Sequence, residues 1–384
     1  MRWDVRAHRW LGLLLGGWFA FAGLTGAVLV FWKPIEDLEF AQAPPAVGPA
    51  LPLEALVAAA QARHPGGDAF RIFLPERPGE VPRVEILRAG GGRVSVHVDP
   101  VSGAVLSERV WGGAAIHWLY DLHSGGILGR GGVVAVGVVG VALATLALLG
   151  LVLWARYAWR SLREAIWPRG GLRGLRRLRN LHRPAGLWLG LPLVLAGATG
   201  FGLAFPEVVR DLMPPLLEAE APARRVSGSG KRMTLAELMA AAEVAMPGWR
   251  GAWIELPEPG GGPDAVLRIR PADRRRIDGI AQVFIALDTG EMKVTPAAPV
   301  ERLRAWIMAL HNGHAFGLGH QLAIILLGLT PGLLFVTGFL AWRRRRSVRE
   351  RLVPGGQQQP QDAQNQRRHG DDEAEPAREP AAPA

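Results

Sequence analysis

No cysteine occurs among the 384 residues. That excludes disulfides, thiolate metal ligands and iron–sulfur ligation, so any redox chemistry has to be carried by a bound cofactor. No nucleophile with a neighbouring base stands out, and no acid–base pair. Charge is missing from four stretches, Trp10 to Trp32, Gly131 to Trp154, Pro184 to Pro206 and Gln321 to Trp342. Each is roughly 20 or more residues long, enough at about 1.5 Å per residue to cross a hydrocarbon core of about 30 Å. A cleavable leader is not expected either. The triplet AQA at 41 to 43 looks like a cleavage site, but Lys33, Glu36, Asp37 and Glu39 separate it from the first apolar run, which therefore reads as a retained helix.

What is present is arginine, unevenly placed. The net charge of +10 would suit nucleic acid if it formed one patch. Instead it gathers before the first run (Arg2, Arg6, Arg9), between the second and third (Arg156, Arg160, Arg163, Arg169, Arg173, Arg176, Arg177, Arg179, Arg183) and after the fourth (Arg343 to Arg346). By the positive-inside rule these segments are cytoplasmic, and 33 to 130 and 207 to 320 lie outside. Hydrophobic residues make up 49% of the chain, yet mean hydropathy is only +0.14, because apolar spans alternate with polar domains. The expectation is a multi-pass protein of a bacterial inner membrane, both termini cytoplasmic, with lipid and not nucleic acid as its surroundings.

The chain repeats itself. HRWLGLLLGGWFAFAGLTG (8 to 26) and HRPAGLWLGLPLVLAGATG (182 to 200) agree at 10 of 19 positions with an offset of 174, and WLYDLHSG (118 to 125) aligns with WIMALHNG (306 to 313). The outer segments repeat too. LPLEALVAAAQARHP (51 to 65) and MTLAELMAAAEVAMP (233 to 247) have helical apolar spacing, with Thr234 as N-cap, and are followed by alternating stretches and the Gly-containing turns DPVSG and LDTGE. The predicted fold is a mainly α membrane protein: four spanning helices forming an internally duplicated bundle, plus two extracytoplasmic α+β domains.

The predicted boundaries begin with a cytoplasmic N-terminus (1–9) and the first span (10–32). An outer domain (33–113), a pre-helix histidine segment (114–130) and the second span (131–154) follow. After the Arg-rich link (155–183) come the third span (184–206), the second outer domain (207–300), its histidine segment (301–320) and the fourth span (321–342). A disordered tail (343–384), rich in Gln, Pro, Asp, Glu and Arg, ends the chain.

Every span is entered through a histidine: His8 and His182 on the cytoplasmic side, His123 and His311 on the outer side. Positions i+4 and i+8 share a helix face with i, which sets Gly12 and Gly16 beside His8, and Gly186 and Gly190 beside His182. An imidazole next to bare backbone offers a ligand and room for a flat macrocycle, which suits haem held between helices by two imidazoles. Arg9 and Arg183 are placed to meet its propionates. Ionisable groups in spans are expensive and usually functional. Glycines four apart are also ordinary helix contacts, and a single interfacial histidine is commonly a headgroup contact; four in symmetric pairs favour ligation. His117, His314 and His320 are unpaired extras that could add to the site, with surface histidine as the default. His64, His97 and His369 read as solvent-exposed, and the tryptophans at span ends (Trp10, Trp32, Trp154, Trp342) read as interfacial anchors.

Taken together, these repeats, the closing GFLAWRRRR and the two outer domains with DPVSG and LDTGE resemble the PepSY-associated transmembrane proteins of bacterial inner membranes, over about residues 1 to 350. The resemblance implies two PepSY-like outer domains and a haem-dependent ferric-siderophore reductase. It carries two b-type haems onto the iron ligands His8, His182, His123 and His311, with a ferric-siderophore or other ferric chelate as substrate and an electron donor that the sequence does not identify. Two other classes fit the same chain: a non-enzymatic, membrane-anchored PepSY interaction or inhibitory module, and a metal-ion transporter.

Overall fold

The structure is a computed structural model that describes residues 3–39, 45–77, 79–159, 162–212, 224–226, 230, 233–257, 264–273 and 276–351. Four of its helices are long and apolar enough to cross a membrane. Helix α1 (Trp3–Leu29) is followed by the short α2 (Trp32–Glu39), α3 (Leu53–Arg63), strands β1 (Asp68–Phe73), β2 (Arg83–Leu87), β3 (Arg93–Val98) and β4 (Val105–Val110), and α4 (Ala115–Ser124). Then come α5 (Gly129–Ala158), α6 (Leu162–Ile166), α7 (Gly174–Ala204), α8 (Pro206–Asp211), β5 (Arg224–Val226) and α9 (Leu235–Ala245). Strands β6 (Trp249–Glu255), β7 (Asp264–Pro271), β8 (Ala281–Ala286) and β9 (Met292–Thr295) precede α10 (Pro299–Asn312) and α11 (Leu318–Arg351).

Helices α1, α5, α7 and α11 form the bundle, and glycine decides where they touch. A Cβ at Gly328 would lie 3.0 Å from Ala27 Cβ, and one at Gly23 would collide with the Gly328 carbonyl, so α1 and α11 cross backbone to backbone. The α5–α7 crossing is built alike: a Cβ at Gly140 would lie 2.9 Å from the Gly197 oxygen. Small residues are what allow such approach where no hydrophobic effect drives helices together. Outward, Leu14, Leu191 and Leu326 are exposed, a surface suited to lipid. Pro184 and Pro192 lie inside α7, and Pro331 inside α11, as spanning helices tolerate when neighbours re-satisfy the backbone.

The expected spans differ from the helices at their ends. Helix α1 stops at Leu29, three residues before Trp32, and α7 stops at Ala204, with Pro206 opening α8. At the other end α1 and α7 begin well before the apolar runs, so His8 and His182 sit inside helices and not at their mouths. Helix α11 continues to Arg351, so the first part of the expected disordered tail is helical; residues 352–384 and His369 lie outside the described residues.

Outside the bundle, the nine strands among the described residues make one antiparallel sheet in the order β4-β3-β2-β1-β6-β7-β8-β9-β5. The strands expected for the two α+β units share this one sheet. Strand β1 pairs with β6 through Arg71↔Glu255, Ile72↔Ile254 and Phe73↔Trp253, and an Arg71–Glu255 ion pair at 3.2 Å sits on the seam. Leu56 on α3 and Leu238 on α9 enter one shared cluster with Ile72, Val84, Ile254 and Ile269. The carboxylate of Glu54 on α3 accepts from the Leu235 N–H at the start of α9 (2.6 Å), so the two helices brace each other. Thr234 caps α9 in a reciprocal capping box with Glu237. In DPVSG, Asp99 Oδ1 accepts from the N–H groups of Val101 and Ser102, both at 2.8 Å, and Gly103 supplies φ +73°.

Candidate functional site

The structure brings the four repeated histidines together in two pairs, one at each end of the bundle. The rings of His8 on α1 and His182 on α7 have centroids 6.3 Å apart at 82°. Those of His123 on α4 and His311 on α10 are 6.1 Å apart at 51°. The second pair lies at the sheet end, where α4 and α10 terminate two residues later in left-handed glycines, Gly125 (φ +80°) and Gly313 (φ +84°). This is the structural sense of LHSG and LHNG: the glycine stops the helix and releases the chain into the next span. The pairs contact α1 at His8 and at Thr25, 17 residues apart, or about 25 Å at about 1.5 Å per residue.

Each imidazole is held by its Nδ1. His123 meets the Thr25 hydroxyl at 2.9 Å, His311 that of Thr199 at 3.0 Å, and His182 that of Thr337 at 3.0 Å. Each hydroxyl already donates into its own helix: Thr25 to Phe21 and Ala22, Thr199 to Leu195 and Ala196, Thr337 to Leu333 and Leu334. The hydroxyl proton is therefore spent, and the oxygen accepts from Nδ1–H. His8 donates to a backbone carbonyl, that of Leu146, at 3.2 Å. With Nδ1 protonated in the neutral ring, the lone pair is on Nε2, and among the described residues no hydrogen bond is made to any of these four Nε2 atoms. The Cε1 edges rest on glycines: Cβ atoms built at Gly150, Gly338, Gly26 and Gly200 would lie 3.1, 3.6, 3.0 and 3.3 Å from Cε1 of His8, His182, His123 and His311.

This donor set fits a planar tetrapyrrole. Two imidazoles on opposite faces of one metal, each at about 2.0 Å, place their ring centroids roughly 6 to 6.5 Å apart. Among the described residues no three or more His, Asp or Glu side chains gather as a metal site. Each pair offers two imidazole nitrogens, the number that an iron in a tetrapyrrole would take from a protein.

The glycines divide. Gly186 has nothing within 4 Å of an added Cβ, and at Gly12 only Leu146 comes near, at 3.9 Å. Gly16 and Gly190, in contrast, are helix contacts: a Cβ would strike the Phe335 ring at Gly16 and lie 2.7 Å from Leu151 at Gly190. The strip beside the histidines is bare for one turn, not two, because a neighbouring helix fills the second. Arg9 lies 5.4 Å from the Trp10 ring and its Nε is buried without a partner among the described residues. Arg183 stacks on Tyr157 at 3.7 Å.

The extra histidines go different ways. His314 is exposed, and His320 packs on Phe316 at 5.3 Å. His117, expected at the surface, is 3% exposed. It stacks on Trp111 (4.7 Å, 6°) and Trp32 (5.5 Å, 27°), so Trp32 is part of a ring stack. Gly112 N–H donates to its Nδ1 (3.1 Å), and its Nε2 faces Glu36 Oε1 at 3.3 Å. Burial opposes the Glu36 charge, but the His117 hydrogen bond and the cations Lys33 and Arg109 outweigh it and hold the carboxyl below its ordinary range. His97, expected to be solvent-exposed, is buried on β3; burial, then Arg109, Arg83 and Lys33, push it down to about 3. His64 is half-buried and 3.3 Å from Glu108.

The three threonines were not singled out by the sequence, although Thr25, Gly26, Thr199 and Gly200 are identities within the 19-residue repeat and VTG at 336 to 338 carries the same pair. Glu36 and Arg109 were missed because their partners lie far along the chain. Comparison with curated proteins gives no match. The family described as the PepSY-associated TM region matches residues 5–345, a range that takes in all four spans, the sheet and both histidine pairs, and the chain belongs to that family.

Proposed function

We propose that this protein is a haem-binding electron-transfer protein of the bacterial inner membrane that reduces ferric iron in siderophore chelates on the side of the sheet. The observation that carries the reading is the pair of histidine pairs: matched separations, Nδ1 engaged and Nε2 left for a metal. On this reading the bundle is an internal duplication, and the sheet joins two PepSY-like units on the periplasmic face. His8 with His182 and His123 with His311 would hold two b-type haems through Nε2, and such haems would supply one-electron carriage between the two ends of the bundle. The protein's part is orientation. Thr25, Thr199 and Thr337 and the Leu146 carbonyl fix the tautomer, the glycines fix ring position, and Arg9 and Arg183 stand at the level of the first pair for acidic groups.

The arginine-rich end faces the cytoplasm, where the electron donor or the quinone pool is met. Ferric iron takes one electron on the other side, and the ferrous ion, a softer acid, is held less tightly by oxygen donors and is released. The test is the absorption spectrum of the purified protein before and after dithionite. A Soret band with sharp α and β bands on reduction, and oxidation of the reduced protein by a ferric chelate, are expected. A protein expressed with ample haem that shows no Soret band would exclude the reading.

A further inference from the structure

At the arginine-rich end of the bundle the charges do not balance. Residues 1–9, 155–183 and 343–351 hold eighteen arginines and only three acidic side chains, Asp4, Glu164 and Glu350. Asp4 on α1, 3% exposed, is paired with Arg156 of α5. Residues 352–384 carry six acidic side chains and three arginines, too few to offset the rest. Where α7 packs on α11, Arg179 is half-buried and Arg345 is exposed. The charges acting on Arg179 are those of Arg345 and Arg183, with no carboxylate among them. Among the described residues neither Arg179 nor Arg345 has a side-chain hydrogen bond or ion pair. Arg183, one turn further on, lies over the Tyr157 ring at 3.7 Å.

The excess belongs to one half of the repeat. With the offset of 174, Asp4 and Val5 correspond to Leu178 and Arg179; with 188, Tyr157 corresponds to Arg345. The α1–α5 pair supplies its own anion, whereas the equivalent α7–α11 pair loses that carboxylate and gains two guanidinium groups. An apolar rail leads up to them. Phe339, Trp342 and Arg345 follow one another on α11 at three-residue spacing, which sets them on successive turns of one side. Phe339 and Trp342 pack at 5.8 Å, and Phe339 is 37% exposed. Arg179 precedes Pro184 by five residues and Arg345 follows Trp342 by three, so both are rooted within about 8 Å of an uncharged run at about 1.5 Å per residue.

We propose that this end of the α7–α11 pair binds an anionic phospholipid, with Arg179 and Arg345 on its phosphodiester and an acyl chain along Phe339 and Trp342. The site stands independently of the reductase reading. Two guanidinium groups that repel each other, one of them half out of water, gain most from a shared anion whose oxygens accept from both. The apolar rail favours a lipid over a free phosphate, and basic pockets between spanning helices at headgroup level are where such lipids are met. A zwitterionic lipid brings its own cation to the same arginines and gains less.

The test uses the full-length protein, delipidated in detergent, with dioleoyl phosphatidylglycerol, dioleoyl phosphatidylcholine and inorganic phosphate as probes. Native mass spectrometry should show phosphatidylglycerol retained in preference to phosphatidylcholine, and the melting temperature should rise with phosphatidylglycerol alone. R179Q and R345Q should each weaken phosphatidylglycerol binding about fivefold, with R179K and R345K retaining most of it and with melting temperatures unchanged when no lipid is added. R163Q, at an exposed position on α6, should change the affinity little. Equal retention of phosphatidylcholine, equal stabilisation by inorganic phosphate, or unchanged affinity in R179Q and R345Q that fold normally would overturn the proposal. So would an R163Q as damaging as R179Q, since the attraction would then be spread over the whole arginine surface. Replacing Asp371, Asp372, Glu373 and Glu375 by their amides should leave the affinity as it is; a rise of about tenfold would give the arginines to the acidic tail instead.

Discussion

The Thr337 hydroxyl lies 3.0 Å from Nδ1 of His182 while giving its own proton to the carbonyls of Leu333 and Leu334. A hydroxyl held that way can only accept, so Thr337 acts as a tautomer lock. Thr25 and Thr199 treat His123 and His311 alike. At the fourth position the corresponding residue is Leu149, and the Leu146 carbonyl serves His8 instead.

Removing a lock should loosen the ligand without deleting it. Outer-shell partners of metal-bound histidines are worth about 10 to 100-fold in affinity, so Thr337→Val, Thr25→Val and Thr199→Val should each weaken haem retention by about that factor and shift one midpoint potential, with Thr→Ser restoring both. Redox titration of the purified variants reads this. Unchanged potentials in all three would show that the hydroxyls do not orient the rings.

The bundle crossings should be intolerant of added side chains. Gly23→Leu forces α1 away from α11 and should destabilise the fold by about 1 to 3 kcal/mol or more, the usual range for overpacking. Gly17→Leu, on the same helix with nothing within 4 Å of its Cβ, should be close to neutral. Thermal melts in detergent compare them, and equal melting temperatures would contradict the packing described.

The sheet should melt as one body. Leu56 and Leu238 are each 1% exposed in the shared cluster, and Leu→Ala at either should cost about 2 to 5 kcal/mol. Because β1 and β6 are paired, each substitution should lower one common transition. Protease-resistance melts that show only the nearer half opening would mean that the seam is not cooperative.

Orientation follows from arginine. Reporter fusions at residue 170 and at both termini should register as cytoplasmic, and fusions at residues 80 and 265 as external. An inward signal at either sheet position would contradict this orientation.

Much of this was legible in the sequence because it is periodic or repeated. The uncharged runs, the α3 and α9 patterns, the turn at Asp99 to Gly103 and the four histidines are local or duplicated signals. Strands β1 (DAFRIF) and β6 (WRGAWIE) were not seen. Neither shows a clean alternation, and they find each other across about 180 residues of chain, so their pairing is a tertiary fact. The burial of His97 and His117 was hidden for the same reason: Glu36, Arg109, Trp32 and Trp111 reach them from separate segments. Glycine spacing alone could not tell the open Gly186 from the packed Gly190, since what differs is the Leu151 side chain opposite.

The central claim is pairing, and haem stoichiometry in histidine variants tests it most directly. If His8 and His182 share one haem and His123 and His311 the other, each single change to Ala should remove about one of two haems by pyridine haemochrome assay. The double substitution of His8 and His182 should do little more than either single, since the second change acts on a site already broken. His8→Ala combined with His123→Ala should remove both, and His314→Ala neither. Full haem content in all four principal single variants would contradict the account, because the histidine pairs would then not be what holds the cofactor.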